Sequence, residues 1–415
     1  MTPVSPHLSR AAWTLLAGAG LATLAANLAS GSYYDLVEYR LFDLSPTIIP
    51  GRETIPRAVT PVQLVEEIVM AVVMFLLAKE GWEAWRCEKG PFAGAKAAVP
   101  VTLALGGMAG GAAVWALLAS LAETAEEAQG APGWVVPMSG DVVLAFLSGR
   151  ILLGPRSRAL QVLLFVTIAG SVIGLVLGGL AAPGGAGLRS AWLVLPVVSA
   201  GLGYVVLTRP LQRDALTERA RARSMMLLPW AGIAALCWLG VALSGLPPAL
   251  GFLPLLPAMP HASQSFGLFA AAEEFLTDPL NRVAQALLPV LPVMTGLFGL
   301  THGGLDLGAY ATATWVTVAA LWGGKTAGIL LVTLAIPALR TEMQTPGPAR
   351  RDVLVIAVLA GVGITGPALL LGPALPGGAV REAARLGLGL SLLVLPVLWG
   401  LLRATGRPGG APPQV

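Results

Sequence analysis

Long apolar stretches separated by short polar segments run along most of this chain. Stretches of roughly 17 to 25 apolar residues have the length of a helix that crosses the hydrocarbon core of a membrane. The pattern predicts about twelve such spans, of which the eighth is short and rich in proline. The predicted spans are 11–30, 61–85, 95–121, 133–153, 159–182, 189–207, 225–243, 246–259, 283–301, 310–338, 353–374 and 384–403.

The composition supports a membrane protein. Of the 415 residues, 55% are hydrophobic and 12% are charged, whereas a soluble domain carries roughly 25% charged residues. This balance excludes a soluble enzyme and a disordered protein. The apolar runs are unbroken and do not alternate, which favours helices over a barrel. We therefore predict an all-α polytopic membrane protein with a single transmembrane domain over residues 1–415.

The basic residues indicate how the chain is oriented. If both termini are cytoplasmic, 19 of the 26 Lys and Arg residues lie inside, 6 lie outside, and Lys325 falls within a span. This bias follows the positive-inside rule and predicts cytoplasmic termini. We interpret the net positive charge as a signal of topology, with the lipid bilayer as partner and no nucleic acid.

Three polar segments interrupt or follow the spans. Residues 31–60 are predicted to form an extracytoplasmic hairpin or interfacial segment. Residues 208–224 are predicted to be a basic cytoplasmic linker between two halves of similar span number. Residues 404–415, rich in Gly and Pro, are predicted to be disordered.

The chain offers little that points to an enzyme or a bound cofactor. Its two cysteines support neither a disulfide framework nor a zinc site. No span carries a nucleophile with a base or a cluster of metal ligands. We predict no resident metal, no cofactor and no enzymatic activity.

Two spans contain helix-breaking residues, one span in each half of the chain. Interrupted helices at membrane depth expose backbone groups and are the best sequence pointer to a midplane binding site. Asp141 follows the first break and Thr365 lies in the second, so both are candidates for binding an ion or a proton. The residues predicted to break the helices are Pro137, Gly140, Gly361 and Gly363.

Three further ionisable residues in or near spans are candidates for function. Lys325 lies deep in an apolar run, where a lysine costs roughly 2.5–3.5 kcal/mol to insert. It therefore needs a partner, or it locks two helices together as a salt bridge. Glu67 and Glu80, near the two ends of the second span, are candidates for a pH response or for residues at the membrane surface.

Five segments, taken in order, carry a resemblance to a known family. They are Val69-Met70-Ala71 through Glu80; Ala97-Ala98-Val99-Pro100-Val101 with Gly106-Gly107-Met108; Gly133-Trp134-Val135-Val136-Pro137 with Asp141; Gly324-Lys325-Thr326-Ala327-Gly328-Ile329; and Gly361-Val362-Gly363-Ile364-Thr365. Their order and spacing resemble those of the NhaA family of sodium/proton antiporters. The resemblance implies an inverted-repeat transporter fold with two broken helices.

The fifth span departs from the family pattern. The family places two adjacent aspartates there, which bind the cation or protons, whereas anchoring on Gly174 puts Ser171 and Val172 at these positions. Serine offers an oxygen ligand but does not titrate. Valine neither offers a ligand nor titrates. The glycines at 170, 174 and 178 form two GxxxG steps, which favour close helix packing. Because the family's lysine pairs with the lost second aspartate, we hypothesise an Asp141–Lys325 ion pair instead.

Two functions from different classes are compatible with these residues. The resemblance implies a secondary transporter that exchanges Na+ or Li+ for protons across a bacterial inner membrane, with a role in pH regulation. Asp141, Ser171, Thr365 and Lys325 would then hold the ion and the proton. The alternative is a transport-inactive homologue that acts as a structural or regulatory subunit of a larger membrane complex. The family's outward hairpin also makes a homodimer through residues 31–60 an expectation.

Overall fold

The fold is described by a computed structural model in which helices dominate. The described residues are 6–44, 57–87, 90–122, 124, 127, 129–155, 157–181, 187–212, 226–261, 268–269, 278–335 and 350–404. Within them, the only β-structure is one two-stranded sheet. The predicted all-α polytopic fold is confirmed.

Nine helices in the described ranges are long and apolar enough to cross a membrane. They are α1 (Pro6–Leu28), α3 (Pro61–Arg86), α4 (Gly94–Ala119), α7 (Arg158–Ala181), α8 (Ser190–Thr208), α9 (Leu227–Ser244), α11 (Pro279–His302), α12 (Thr312–Ala335) and α15 (Ala379–Gly400). Helix α7 is the most enclosed of them, with 67% of its apolar stretch buried inside the protein. It forms the centre around which the other elements pack.

Two further spans are pairs of short helices joined at a break. Helix α5 (Ala131–Met138) and helix α6 (Val142–Leu152) are bent by 53°, and helix α13 (Arg351–Ala360) and helix α14 (Thr365–Ala374) by 43°. Both predicted breaks are therefore present. With each pair taken as one span, the described residues contain up to eleven spans.

The eighth predicted span does not have the length of a membrane crossing. Residues 246–259 correspond to α10 (Pro248–Ala258), an apolar segment shorter than the 18 residues required of a candidate membrane span. It combines a 3-10 turn, Pro248–Leu250, with one turn of α-helix, Leu255–Ala258. Prolines at 247, 248, 254 and 257 explain the irregularity, since each removes a backbone donor.

The residues of the first break account for its geometry. Helix α5 is a 3-10 helix that contains Pro137, which leaves one backbone position without an N–H donor. Asp141 has an extended backbone and begins α6 as its N-cap. The chain therefore stops one helix at Met138 and starts another at Val142.

Glycines let α4 and α12 approach until their backbones touch. A Cβ atom on Gly328 would overlap the carbonyl oxygen of Gly106 and lie 3.0 Å from the Cα atom of Gly110. Gly110 is in turn pressed against the carbonyl oxygen of Gly324. Small residues allow such approach in membrane helices, where packing replaces the hydrophobic effect as the driving force. This contact holds the middle of α12, and with it Lys325, against the protein interior.

The segment between the first two spans contains a short helix and a pair of strands. Helix α2 (Ser30–Val37) follows α1 directly, and strands β1 (Phe42–Leu44) and β2 (Arg57–Val59) pair in antiparallel register, with Asp43 opposite Ala58. Residues 45–56 lie outside the described residues, as do most of the predicted linker 208–224 and residues 405–415 of the predicted tail. The predictions for those parts stay predictions.

The α4–α12 contact yields a test of the packing. Gly328→Ala should lower the free energy of unfolding by about 1–3 kcal/mol, because the added methyl meets backbone atoms that cannot move aside. The measurement is the thermal unfolding midpoint of purified protein in detergent. Gly323→Ala on the same helix is the matched control, since a Cβ there meets nothing within 4 Å. Equal midpoints for the two variants would contradict the proposed close contact.

Candidate functional site

The two broken helices and α7 meet at one point. A Cβ atom on Gly366, in the first turn of α14, would overlap the Ser139 hydroxyl and the Gly140 carbonyl oxygen. A Cβ atom on Gly174 of α7 would come within 2.8 Å of the backbone of Met138 and Ser139. The first break is therefore clamped between α14 and α7. Gly174 serves the packing role that the GxxxG pattern predicts.

Asp141 connects the two breaks. Its Oδ1 accepts a hydrogen bond from Leu144 N (2.9 Å), and its Oδ2 accepts from Thr365 N (3.0 Å) and Ile364 N (3.4 Å). The carboxylate is fully buried. It thus caps the N-termini of both α6 and α14, where unpaired N–H groups and the helix dipoles favour a negative charge. Thr365 reaches this site through its backbone amide.

Lys325 binds the C-terminal end of a helix, whereas Asp141 caps two N-terminal ends. It closes a π-helical segment, Ala319–Lys325, that widens the middle of α12. Its buried ammonium donates a hydrogen bond to the carbonyl oxygen of Ser139, just after α5 ends. A cation at the C-terminal end of a helix is favoured by the exposed carbonyls there.

The hypothesised direct Asp141–Lys325 ion pair is wrong. Both residues are described, and no N–O distance within 4.0 Å joins their side chains. The physical reason is that each charge has found backbone partners: N–H groups surround the carboxylate and a carbonyl binds the ammonium. The two charges still attract each other through space.

The two positions that replace the aspartate pair differ in what they contact. The hydroxyl of Ser171 donates a hydrogen bond to the carbonyl oxygen of Gly140 (3.1 Å) and is buried. Val172 is partly buried and packs against the hydrophobic core. Ser171 thus reaches the first break with a neutral oxygen, and Val172 contributes only apolar surface.

A cavity of about 20 Å³ lies beside the first break, between α4, α7 and α12. Gly140, Thr167, Gly170 and Lys325 are among the residues that line it. A methyl group on Gly140 would lie 3.8 Å from Ser171 Oγ, 3.8 Å from the Thr167 carbonyl oxygen and 3.9 Å from Lys325 Nζ. A volume of roughly 10–15 Å³ suffices for one water molecule. The cavity can therefore hold one particle of that size beside Thr167 and Lys325.

Ser139 was not among the predicted site residues. Its side chain is fully buried, and its hydroxyl has no hydrogen-bond partner. Buried polar atoms in native proteins nearly always have a partner, so an orphan in a site indicates a place for a substrate, an ion or a water molecule. The sequence signal was a serine within the helix-breaking run before Asp141. The Thr167 carbonyl gave no sequence signal, because any residue supplies one.

A second cluster of charges lies near the C-terminal end of α3. Lys79 contacts Glu80 (3.1 Å) and Glu83 (2.8 Å), and Asn281 on α11 donates to Glu83 (3.0 Å). The backbone amide of Phe269 donates to Glu80. All three charged side chains are buried. Glu80 is therefore buried inside the protein and is not a residue at the membrane surface, and Glu83 is a buried acid that the sequence did not reveal.

The two candidates for a pH response lie in different surroundings. Glu80 belongs to the buried cluster, whereas Glu67 is half-buried in the first turns of α3, where its backbone carbonyl accepts from Trp238 Nε1 (2.7 Å). The described partners of the Glu80 side chain are Lys79 and the backbone amide of Phe269. Their role in a pH response stays a prediction.

Comparison with known proteins places the whole chain in one family. A sequence model of the family described as Na+/H+ antiporter 1 matches residues 6–398. The Na(+)/H(+) antiporter NhaA of Jannaschia sp. (strain CCS1) is 34% identical over 384 residues, covering 90% of this chain and 91% of its own. The Na(+)/H(+) antiporter NhaA 2 of Pelobacter propionicus is 30% identical over 280 residues, covering 65% of this chain and 69% of its own.

Among solved structures, the sodium proton antiporter MjNhaP1 from Methanocaldococcus jannaschii aligns with a TM-score of 0.48 at 13% identity, covering 96% of this chain and 98% of its own. The family rests on the sequence model, whose match over residues 6–398 spans both breaks and the positions of Asp141 and Lys325, and on the relative that covers 90% of this chain. Those same elements converge at the site described above. The chain belongs to the NhaA family of Na+/H+ antiporters, a family of integral membrane transporters and not of enzymes.

Proposed function

We propose that this chain exchanges Na+ or Li+ for protons at the crossing of its two broken helices, without the aspartate pair. The observation that carries the proposal is the environment of Lys325. A buried ammonium binds a backbone carbonyl at the wall of a cavity for one particle, within the attractive field of a fixed carboxylate. An ammonium at the wall of a small cavity can compete with a cation for the same place.

The atoms around the cavity suit a hard monovalent cation. Carbonyl and hydroxyl oxygens are the groups such ions prefer. Thr167 lines the cavity, and the Thr167 carbonyl oxygen and Ser171 Oγ each lie 3.8 Å from where a methyl on Gly140 would be. The orphan hydroxyl of Ser139 lies on the same break. The Asp141 carboxylate supplies the negative charge that a dehydrated cation needs in a medium of low dielectric.

Competition between the cation and the ammonium couples the two fluxes. Two unit charges of like sign about 4 Å apart repel by ~4 kcal/mol at an effective dielectric constant near 20, which is roughly a thousandfold in an equilibrium. A cation that enters the cavity therefore expels the proton of Lys325. When the cation leaves, the amine takes up a proton again and returns to the Ser139 carbonyl.

The orientation of the chain follows from its basic residues. The positive-inside bias supports cytoplasmic termini, and the relatives named above come from bacteria. We place the chain in a bacterial inner membrane, with the segment 31–60 on the extracytoplasmic side. There it would link an inward flux of protons to an outward flux of cations.

A second candidate is a transport-inactive subunit of a membrane complex, or of a homodimer. The observation that favours it is the set of backbone bonds on Asp141, because a carboxylate that only capped two helices would look the same. The replacement of the aspartate pair by Ser171 and Val172 points the same way. A transport assay separates the two functions.

The first prediction concerns exchange itself. In everted membrane vesicles with a pH-sensitive dye, Na+ or Li+ should release protons and dequench the fluorescence between pH 6 and 9. Asp141→Asn should abolish the signal, because asparagine can still cap α6 but leaves the cation without a compensating charge. Asp306→Asn is the matched control, since Asp306 lies in a loop where its Oδ1 accepts from Gly308 N. A flat trace from the unaltered protein, inserted and folded, would support the inactive subunit instead.

The second prediction concerns the cavity. Gly140→Ala should fold normally, because its methyl group meets its neighbours at 3.8–3.9 Å, which is ordinary contact. It should nevertheless raise the KM for Na+ at least tenfold or abolish exchange, because Gly140 lines the cavity and the methyl would lie 3.9 Å from Lys325 Nζ. The KM follows from dequenching at graded Na+ concentrations.

The matched control for the cavity is Gly372→Ala on α14, where a Cβ meets nothing within 4 Å. Its KM should equal that of the unaltered protein. An unchanged KM in a folded Gly140→Ala variant would show that the cation binds elsewhere.

A further inference from the structure

The crossing of the broken helices holds one fixed negative charge and one exchangeable positive charge. Asp141 and Lys325 are the two ionisable side chains that reach it among the described residues. Ser171 and Val172 occupy the positions where the family resemblance places two more acids, and neither side chain titrates. This inventory limits how many protons one cation can displace. The argument rests on the proposed function.

The carboxylate of Asp141 is arranged to keep its charge throughout the cycle. Both of its oxygens already face backbone donors, one on Oδ1 and two on Oδ2. Backbone N–H groups donate to the ionised carboxylate and favour it over the protonated acid. Protonation would also remove the charge that compensates two helix N-termini at once. The exchanging proton is therefore the one on Lys325.

The net charge of the site is then the same in both halves of the cycle. With Lys325 protonated, the ammonium and the Asp141 carboxylate sum to zero. With a monovalent cation bound and Lys325 neutral, the cation and the carboxylate again sum to zero. A buried site with net charge is strongly disfavoured in a medium of low dielectric. The site can therefore switch its access from one side of the membrane to the other in either of these two neutral states.

We infer that this chain exchanges one monovalent cation for one proton and moves no net charge across the membrane. The proton released by Lys325 leaves on the side where the cation enters, and a proton is taken up where the cation departs. Membrane voltage neither drives nor opposes such a cycle. The pH difference and the cation gradient alone set its direction.

The buried cluster on α3 is the strongest alternative source of a second proton. Its acids, however, are held by neighbours of their own: Lys79 lies against Glu80 and Glu83, Asn281 donates to Glu83, and the amide of Phe269 donates to Glu80. None of these contacts includes a residue of the broken helices. A second proton from this cluster would make the cycle depend on voltage, so the same experiment tests it.

The experiment uses purified full-length protein in liposomes with a potassium gradient and valinomycin to set the potential. If one net charge crossed per cycle, about 100 mV would shift the steady-state Na+ ratio about fiftyfold. We expect the Na+ ratio at a fixed pH difference to be the same with and without the potential. A shift in the Na+ ratio would overturn the one-for-one exchange while leaving antiport itself intact. Absence of any Na+-driven proton movement would overturn the proposed function instead.

A variant tests the assignment of the proton to Lys325. Lys325→Gln should abolish Na+-driven proton release yet retain exchange of labelled Na+ for unlabelled Na+, because the loaded site stays neutral without the amine. Lys96→Gln, at an exposed lysine, is the matched control and should behave as the unaltered protein. Proton release that persists in Lys325→Gln would show that another group carries the proton and would overturn the inference.

Discussion

The structure depends on one carboxylate that caps two helices at once. Each break leaves unpaired N–H groups inside the protein, at a depth where little water is available to satisfy them. Asp141 satisfies groups at the start of α6 and of α14, and so joins two halves of the chain that are more than 200 residues apart in sequence. The glycines at 174 and 366 allow the close packing that brings these ends together. Without this carboxylate the crossing would present two positive helix ends to each other.

The same arrangement decides what the site can exchange. Because the carboxylate is committed to the helix ends, the charge that can change is on Lys325, whose ammonium rests on a carbonyl beside the cavity. The loss of the aspartate pair therefore simplifies the antiporter site and does not destroy it. One negative charge remains to balance either a proton on the lysine or a bound cation. The fold requires this carboxylate to cap the two helix ends. The same negative charge then balances the ion or proton that is exchanged.

Much of this could be predicted from the sequence, because charges and helix breakers in apolar runs are local and rare. Asp141, Lys325 and both breaks were found in that way, and the family was indicated by the resemblance of five segments. The partners of the two charges could not be predicted, since a backbone amide or carbonyl carries no sequence signal and its position depends on how distant helices cross. For that reason the direct ion pair was wrong. The role of Ser139 was missed because the burial of its hydroxyl depends on how α14 packs against the first break. Glu83 was missed because burial of a helix end depends on Asn281 and its neighbours.

The claim that Asp141 stays ionised while the cation and the proton exchange is the one most directly open to measurement. Infrared difference spectra, recorded as Na+ is added to the reconstituted protein, report whether a carboxylic acid gains or loses a proton. The account predicts that the unaltered protein and Asp141→Asn show no difference in the carbonyl band of a protonated carboxyl group. A band that is present without Na+, disappears when Na+ binds and is missing from Asp141→Asn would show that Asp141 carries the proton and would contradict the account.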